Sequence, residues 1–596
     1  MALRICFPSN LRRILEELPE SLDETYGRIL KEINNANQKQ SHRLLQCLAV
    51  AIRPLRVEEL ADVLALDFIE GGIPKFNANW RWEHDEEAIL SACSSLVSVI
   101  IDNGSRVVQF SHFSVKEFLT SNRLAFMEDV SRFRIAIEPS HVILSQACLG
   151  VFLSLDGRTN KDTVENMPLS RYAVGYWHIH ARFENVESQI KDALDYFFDL
   201  DKPHFAPWIR IQGFDHLFMA SSDEEPTGVL PPGAPLLVAT SIGFCGLAER
   251  LIIRQPQAIQ FCGTEYTSTP LHLAASQGYL EICRLLLERN ADVHGRDNSR
   301  NTPLHLAASL GRLEIAHILL ERNAEVNSQN DDGSTPFLRA SASGSLDVAQ
   351  LLLDHSANVH MQDKSGNTPL HFAASGGHLK VARMLLELNA EVNSLNDKRS
   401  TPLHLALSGW REAHLDVTQL LLGYGADVHI HDDNGNTPLH FAASGGFLGI
   451  AQILLERDAE VDFRDNHGCT PLHHASAFGT PDVVRLLLDH NADARVRDSD
   501  GDTPLHCASF GGLLEVTRIL LGLNVEVNSQ NEKGSTPLHL ASKGRQEGGN
   551  SDIVQLLLDH GADAQVRDHN GKIASQVARG PKQQKIKQLL SQHAVE

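Results

Sequence analysis

The sequence predicts a mainly α protein: an α-solenoid of stacked helix pairs, preceded by a helical block that holds a small β-hairpin. Three observations carry this expectation. Thr-Pro dipeptides stand at Thr269, Thr302, Thr335, Thr368, Thr401, Thr437, Thr470, Thr503 and Thr536, spaced by 33 residues with a single step of 36. A fixed period of that size marks a repeat architecture. Each Thr-Pro opens two short apolar-periodic runs closed by Gly or Asn, the pattern of a helix pair. Residues 1–233 lack the period, and there helical patterns flank two β-rich runs on either side of Asp102-Asn103-Gly104-Ser105, a hairpin signal.

Composition sets the outer bounds. The chain has 596 residues, of which 42% are hydrophobic and 21% charged, so it is neither disordered throughout nor collagen-like. Its net charge is −22, spread evenly: 23 basic against 33 acidic residues over 1–233, and 30 against 42 over 234–596. Such a surface repels nucleic acid and anionic membranes, so neither is expected as a direct partner. The nine cysteines form no CxxC pair. They read as reduced thiols, with the cytoplasm as the expected location and the nucleus as the second. The N-terminal apolar run is too short for a secretory signal. Residues 234–253 approach membrane-spanning length but contain Glu249 and Arg250, and the repeat alignment explains them better.

One repeat can be read residue by residue. Thr302 suits the cap of a helix and Pro303 its first turn, where no donor is needed. Leu304, Leu306, Ala307 and Ala308 form the first helix, small enough for a neighbour to approach, and Gly311 ends it. Residues 313–322 form the second, with Ile315, Ile318, Leu319 and Leu320 on one face. Asn323-Ala324 closes it, and Asn330-Asp331-Asp332-Gly333 makes a tight turn at the tip of an extended finger. Such a unit cannot bury its own apolar face and is stabilised by stacking on its neighbours. On residues such as Thr302-Pro303-Leu304-His305-Leu306-Ala307-Ala308 and Gly366-Asn367-Thr368-Pro369-Leu370-His371, the text resembles the ankyrin repeat.

The array is expected over 234–595 as ten repeats plus a terminal half. Pro235-Leu236-Leu237-Val238-Ala239-Thr240 aligns with Pro270-Leu271-His272-Leu273-Ala274-Ala275 as a degenerate first copy, and Gly571-Lys572-Ile573-Ala574 opens the last, with a final helix over 582–592. Glu-Val-Asn-Ser recurs at 325, 391 and 526, and Asp-Val-His or Asn-Val-His fills alternate copies, a history of duplicated pairs. Two copies carry insertions, around Trp410 and over 544–550. Insertions in a solenoid fall on one face, often the binding face, and Trp410 is a candidate anchor.

The N-terminal part divides into 1–40, a helical remnant; 41–125, a winged-helix-like domain; 126–220, a helical linker domain; and 221–233, a flexible linker rich in Pro, Gly and acid. Helices are expected around 11–34 and over 41–50, 57–66 and 86–94. Strands are expected over 96–101 and 106–110, and a capping box at Ser114-Val115-Lys116-Glu117 should open the next helix. Leu18-Pro19-Glu20-Ser21, Arg53-Pro54-Leu55, Glu59-Leu60, the run from Phe110 to Leu119, and Tyr172-Ala173-Val174-Gly175-Tyr176-Trp177 with His180 resemble the region that follows the NACHT ATPase in fungal STAND, or NLR-like, proteins. That resemblance covers roughly 10–215 and implies a signalling switch whose repeats sense a partner. The sequence contains no G-x-x-x-x-G-K-[ST] phosphate loop, so ATP hydrolysis is not expected of it. It opens where that ATPase would be ending, as expected of a truncated product, a mis-started gene model or an adaptor.

Candidate sites divide into structural and recognition groups. Eight histidines (His272, His305, His371, His404, His440, His473, His506, His539) occupy the same Thr-Pro-Leu-His slot, one repeat apart, so they cannot converge on one ion. They are expected to bond Thr and finger groups. His429, His431 and His467 are the weaker surface-metal alternative. Ser111-His112 lacks the converging third group of a catalytic triad. Over 41–120 there are 7 basic and 11 acidic residues, the wrong sign for DNA. Recognition is expected at the finger tips on the concave face, which are loop tips free of packing duties. The candidates are Arg296, Arg300, Asp331, Asp332, Lys364, Lys398, Arg399, Trp410, His431, Asp433, His467 and Arg497. Tyr279, Phe447, Phe478 and Phe510 are candidate aromatic anchors. The expected function is a non-enzymatic protein-interaction scaffold with a protein partner, no cofactor, no metal and no small-molecule substrate. The alternatives are the sensor half of a NACHT signalling ATPase, or a transcription coregulator acting through protein contacts.

Overall fold

A computed structural model describes residues 22–35, 37–67, 73–76, 93–155, 167–212, 230–262, 268–409, 412–544, 550–578 and 583–593. The chain divides into two units, Met1–Asn298 and Ser299–Glu596. Its described residues form 31 α-helices and two small sheets.

In the first unit, α1 (Leu22–Glu32) and α2 (Gln38–Val50) lead into β1 (Leu55–Arg56) and α3 (Val57–Leu64). Arg53 fixes this corner. Its guanidinium donates to both oxygens of Glu59, at 2.8 and 2.5 Å, and Glu59, which is wholly buried, also accepts from the Arg56 N–H. The expected hairpin is present as β4 (Val97–Asp102) and β5 (Ser105–Phe110), with Val97 opposite Phe110 and β1 on the other edge of β5. Asn103 and Gly104 both take positive φ, 45° and 79°, as a two-residue turn matching the strand twist requires.

Two local expectations are corrected, and a third falls mostly outside the described residues. The helix over 57–66 stops at Leu64, because Leu66 pairs with Phe76 in a second antiparallel ladder of β2 (Leu66–Asp67) and β3 (Lys75–Phe76). Ser114 does not cap the helix after the hairpin. That helix, α4 (Phe113–Thr120), is capped by His112, whose Nδ1 accepts from the Ser114 N–H, while the Ser114 hydroxyl lies 2.6 Å from the Tyr26 hydroxyl. Of the helix expected over 86–94 only the last two residues are described, and Ser94 there begins a 3-10 turn. Residues 1–21 and 221–229 lie outside the described part.

Five further helices follow: α5 (Ile137–Phe152), α6 (Pro168–Ala181), α7 (Val186–Gln189), α8 (Lys191–Phe197) and α9 (Phe205–Gln212). Trp177 is their hub. Fully buried, it meets Phe152, Phe197, Trp208 and Phe244 edge-on at ring-centroid distances of 5.3–6.2 Å. Phe244 belongs to the first helix pair of the array, Ala234–Ile242 and Cys245–Arg254. That pair is also held by charge. Asp195 accepts from Arg250 Nε at 2.7 Å and Arg254 Nη2 at 3.1 Å, and Glu187 accepts from the Leu247 N–H in the first turn of the second helix. A second pair, Pro270–Gln277 and Leu280–Glu288, completes the unit.

The second unit holds eight full pairs, beginning at Pro303 and ending at Asp559, and a shortened last pair, Ala574–Val577 and Gln583–Gln592. Each full pair repeats one scheme. Thr caps the first helix with φ near −90° and ψ near 166°, and Pro occupies its first turn. The second helix closes on a left-handed residue, such as Asn323, Asn389 or Asn491. Leucines and valines of the second helices and alanines of the first are buried between successive pairs.

Candidate functional site

The conserved-looking Thr-Pro-Leu-His slot is structural, and its geometry fixes the fingers. His371 Nδ1 accepts from the Thr368 backbone N–H at 3.2 Å and lies 2.8 Å from the Thr368 hydroxyl. Its Nε2 therefore carries the proton and donates to the Ser400 carbonyl, in the next finger, at 2.9 Å. His305, His404, His440, His473, His506 and His539 repeat the arrangement with the Ser334, Asn436, Cys469, Asp502, Ser535 and Lys572 carbonyls, at 3.0–3.2 Å. A neutral imidazole is required at each. Burial holds His404, His440 and His506 down to about 4, and lowers His371 and His473 as well. The expectation that these histidines bond Thr and finger groups is met atom by atom.

The turn of each finger is built on an Asn or Asp. In Asn330, Asp363, Asn396, Asp432, Asp465, Asp498, Asn531 and Asp568, one side-chain oxygen accepts from the N–H groups two and four residues ahead. Where the residue is Asn, its amide also donates to the preceding repeat: Asn330 to Asn301, Asn396 to Asn367 and Asn531 to Asp502. Consecutive tips are then joined through the backbone at 2.7–3.0 Å. The donors are Asp331, Lys364, Asp397, Asp433, Asn466, Ser499, Glu532 and His569, and the acceptors are the carbonyls of Ser299, Asp332, Ser365, Lys398, Asn434, His467, Asp500 and Lys533. The glycine of the turn makes room for this ladder: a Cβ on Gly435 would sit 2.7 Å from the Asn466 backbone nitrogen.

A ladder of this text and geometry is decisive when set beside known families. The family model described as "Ankyrin repeats (3 copies)" matches residues 236–330, 322–397, 403–498 and 490–568. The chain belongs to the ankyrin-repeat family. The model of the "GPI inositol-deacylase, winged helix domain" matches residues 30–132, which agrees with the resemblance of the N-terminal part to the module after the ATPase in NACHT proteins. The chain is also similar to "Azaphilone pigments biosynthesis cluster protein L" of Monascus ruber, 28% identical over 302 residues. That alignment takes in 48% of this chain and 62% of the relative, so the chain spans less than two thirds of the relative's length.

On this ankyrin frame the candidate tip residues are placed as follows. Asp331, Asp332, Lys364, Lys398, Arg399, Asp433, His467 and Arg497 are exposed tip residues of the second unit, as is Arg300, while exposed Arg296 lies in the first. The expectation that the tips carry no packing duty is corrected. Their backbones form the ladder, which brings Asp332 against Lys364 and Lys398 against Asp433. Asp332 pairs with Arg339 at 3.0 Å, and Arg497 donates to the Gln530 carbonyl of the next finger. His431 is half-buried and stacks on Phe463. Trp410 lies outside the described residues. Of the aromatic candidates, Tyr279 receives a hydrogen bond from Arg182 at 3.1 Å, and Phe478 and Phe510 line a cleft.

The metal-type group that the described residues bring together is not His429, His431 and His467 but His440, Asp465 and His474. Its lone pairs already have partners. His440 serves Thr437 and Cys469, His474 serves Asp465 at 3.0 Å and Ser444 at 3.0 Å, and Asp465 holds its own turn.

One set of positions escaped the sequence reading. The residue after each slot position, which is histidine in seven of these copies and Leu338 in the other, is half-buried: Leu306, Arg339, Phe372, Leu405, Phe441, His474, Cys507 and Leu540. It faces the fingers, as Arg339 to Asp332 and His474 to Asp465 show. The signal was present as a variable letter inside a repeated motif. Beside Cys507 and Leu540 a cleft lies between this stripe and the fingers.

Proposed function

We propose that this ankyrin chain is a non-enzymatic scaffold that binds a protein partner through the tips of its fingers, with no nucleic acid, membrane, cofactor or small-molecule substrate, in the cytoplasm or nucleus. Ankyrin repeats suggest protein–protein interaction in general; the residues named here are the finer part of the proposal. One observation carries it. At the turn position where other fingers have glycine at positive φ (Gly333, Gly366, Gly435, Gly468, Gly501, Gly534), Arg300 and Arg399 adopt the same left-handed backbone, at 58° and 53°. A side chain there costs about 1 kcal/mol or more. Stability therefore disfavours arginine at both positions, and an exposed guanidinium offered to a partner accounts for it. Around these arginines the ladder holds the tips in fixed register, which lowers the ordering cost of binding.

The test compares immobilised full-length chain with a version altered at Lys398, Arg399, His431 and Asp433, by quantitative capture from an extract of the source organism. A set of proteins retained by the first and lost from the second is expected. Identical retention by both overturns the assignment to these tips.

A second reading, the sensor half of a NACHT-type signalling ATPase, is favoured by the winged-helix match and by the contacts of Trp177, Glu187 and Asp195 with the first helix pair, which offer a path from array to N-terminal block. An in-frame phosphate loop upstream in the genomic sequence would favour it. Nothing in the structure favours the transcriptional reading.

A further inference from the structure

At the C-terminal end of the array, between the stripe at Cys507 and Leu540 and the fingers, lies a cleft of about 570 Å³. That volume is in the range that holds a large side chain together with the backbone on either side of it. Its apolar wall is formed by Phe478, which leaves 51% of its surface to solvent, and half-buried Phe510. Its rim is formed by Lys533, Lys543 and Lys572, all exposed.

Three ammonium groups and two carboxylates line this cleft, a net charge of +1 in a chain of net charge −22. The two carboxylates, Asp502 and Asp568, keep their charge but are half-buried and turned to N–H donors, Asp502 to the Asn531 amide and Asp568 to the Asn570 and Lys572 N–H groups that close its turn, whereas the lysines are exposed. Lys533 is paired with Asp500 at 3.1 Å. Lys543 and Lys572 form no ion pair among the described residues. In a chain of net charge −22, two unpaired ammonium groups beside an exposed phenyl ring make a local site for the opposite charge.

We propose that this cleft receives a peptide segment of the partner in which Asp or Glu residues flank a large apolar side chain. The apolar residue enters between Phe478 and Phe510, and the carboxylates meet Lys543 and Lys572. The assignment rests on the reading of the array as a partner-binding surface and adds to it where on the array, and to what chemistry, binding occurs. The same arrangement rejects basic segments. The acidic remainder of the surface draws them in, but at this cleft they face like charge, so selectivity comes from repulsion as well as attraction.

Selection of random dodecapeptides displayed on phage against the immobilised full chain tests this. Enriched sequences, synthesised with a fluorescein label and titrated by anisotropy, should carry two or more acidic residues beside Leu, Phe or Trp. Their Kd should weaken at least tenfold with Lys543→Glu plus Lys572→Glu and with Phe478→Ser, and weaken further as salt is raised. Lys543→Arg plus Lys572→Arg should retain binding, and circular dichroism confirms that each variant is folded. Lys380→Glu, at an exposed helix position outside the cleft lining, should change Kd less than twofold, and Lys398→Glu plus Arg399→Glu separates this cleft from the central fingers. Enriched peptides that are neutral or basic, binding indifferent to the Lys543 and Lys572 reversals, or no enrichment at all would overturn the proposal. Peptides lost only with the Lys398 and Arg399 reversals would overturn the cleft while leaving the partner-binding reading standing.

Discussion

His404 Nε2 donates to the carbonyl of Asn436, 32 residues ahead, at 3.2 Å, whereas His371 reaches Ser400 across 29. The three extra residues of the inserted copy are thus absorbed before the finger, between the two helices. The same holds at the second insertion, where His539 reaches Lys572 across 33 residues. The imidazole-to-finger bond is the element of the repeat that does not slip, and it couples each first helix to the finger after it.

Replacement of one such histidine should therefore cost more than its volume suggests. His440→Leu leaves the Thr437 N–H and the Cys469 carbonyl without their partner in a buried setting. Shape alone is tolerated, because Leu338 fills the same slot in the third copy of the motif, fully buried. The expected loss is about 2 kcal/mol, from two unsatisfied backbone groups. Urea denaturation of the full chain reads it as a lower midpoint, and an unchanged midpoint would remove the slot from the stability account.

The neutral state these histidines need makes the array acid-sensitive. His404, His440 and His506 are held down to about 4 in the folded chain by burial, against about 6.5 when unfolded. Between those values the unfolded chain binds more protons than the folded one, so stability is present in full above about pH 6.5 and is lost as pH falls towards 4. Each group contributes on the order of 3 kcal/mol across that window. Thermal unfolding followed by circular dichroism at pH 7.0, 6.0 and 5.0 should show a steady fall in Tm; a flat profile would mean that the slot accepts imidazolium.

Arg53 tests the first unit in the same way. With Glu59 wholly buried, removal of the guanidinium strands a carboxylate, so Arg53→Ala should destabilise this unit by about 3 kcal/mol. Arg53→Lys should recover only part, because a single ammonium cannot reproduce the two-point contact with both carboxylate oxygens. Hydrogen exchange in Val57–Leu64 measures both; equal protection in all three forms would count against the pair.

The period, the helix pairs and the role of the histidines were legible in the sequence because each rests on a pattern repeated many times within the same chain. What was not legible had no such repetition, or was masked by it. The ladder between β2 and β3 consists of two-residue strands, too short to alternate. The cap at His112 was missed because Ser114 makes the better motif on paper, and only the fold brings Tyr26 to its hydroxyl. The stripe from Leu306 to Leu540 looked like noise, since one slot holds leucine, arginine, phenylalanine, histidine and cysteine in turn. Ten of the twelve recognition residues named are exposed, but the backbone ladder their fingers share depends on residues 33 apart meeting in register, which no local pattern states.

Arg399 joins stability to recognition in one residue. Its left-handed backbone occupies a turn position where glycine is the relaxed choice, and its N–H still donates to the Asn396 carbonyl at 2.9 Å as the glycine N–H groups do elsewhere. Arg399→Gly should therefore raise stability by about 0.5–1 kcal/mol, the relief of strain less the extra chain entropy of glycine. If the guanidinium serves the partner, the same change should weaken capture, so that affinity and Tm move in opposite directions. Measured together, a higher Tm with undiminished binding would identify the strain as incidental, while a higher Tm with lost binding ties the arginine to the partner and sets Arg300→Gly as the matching test three fingers earlier.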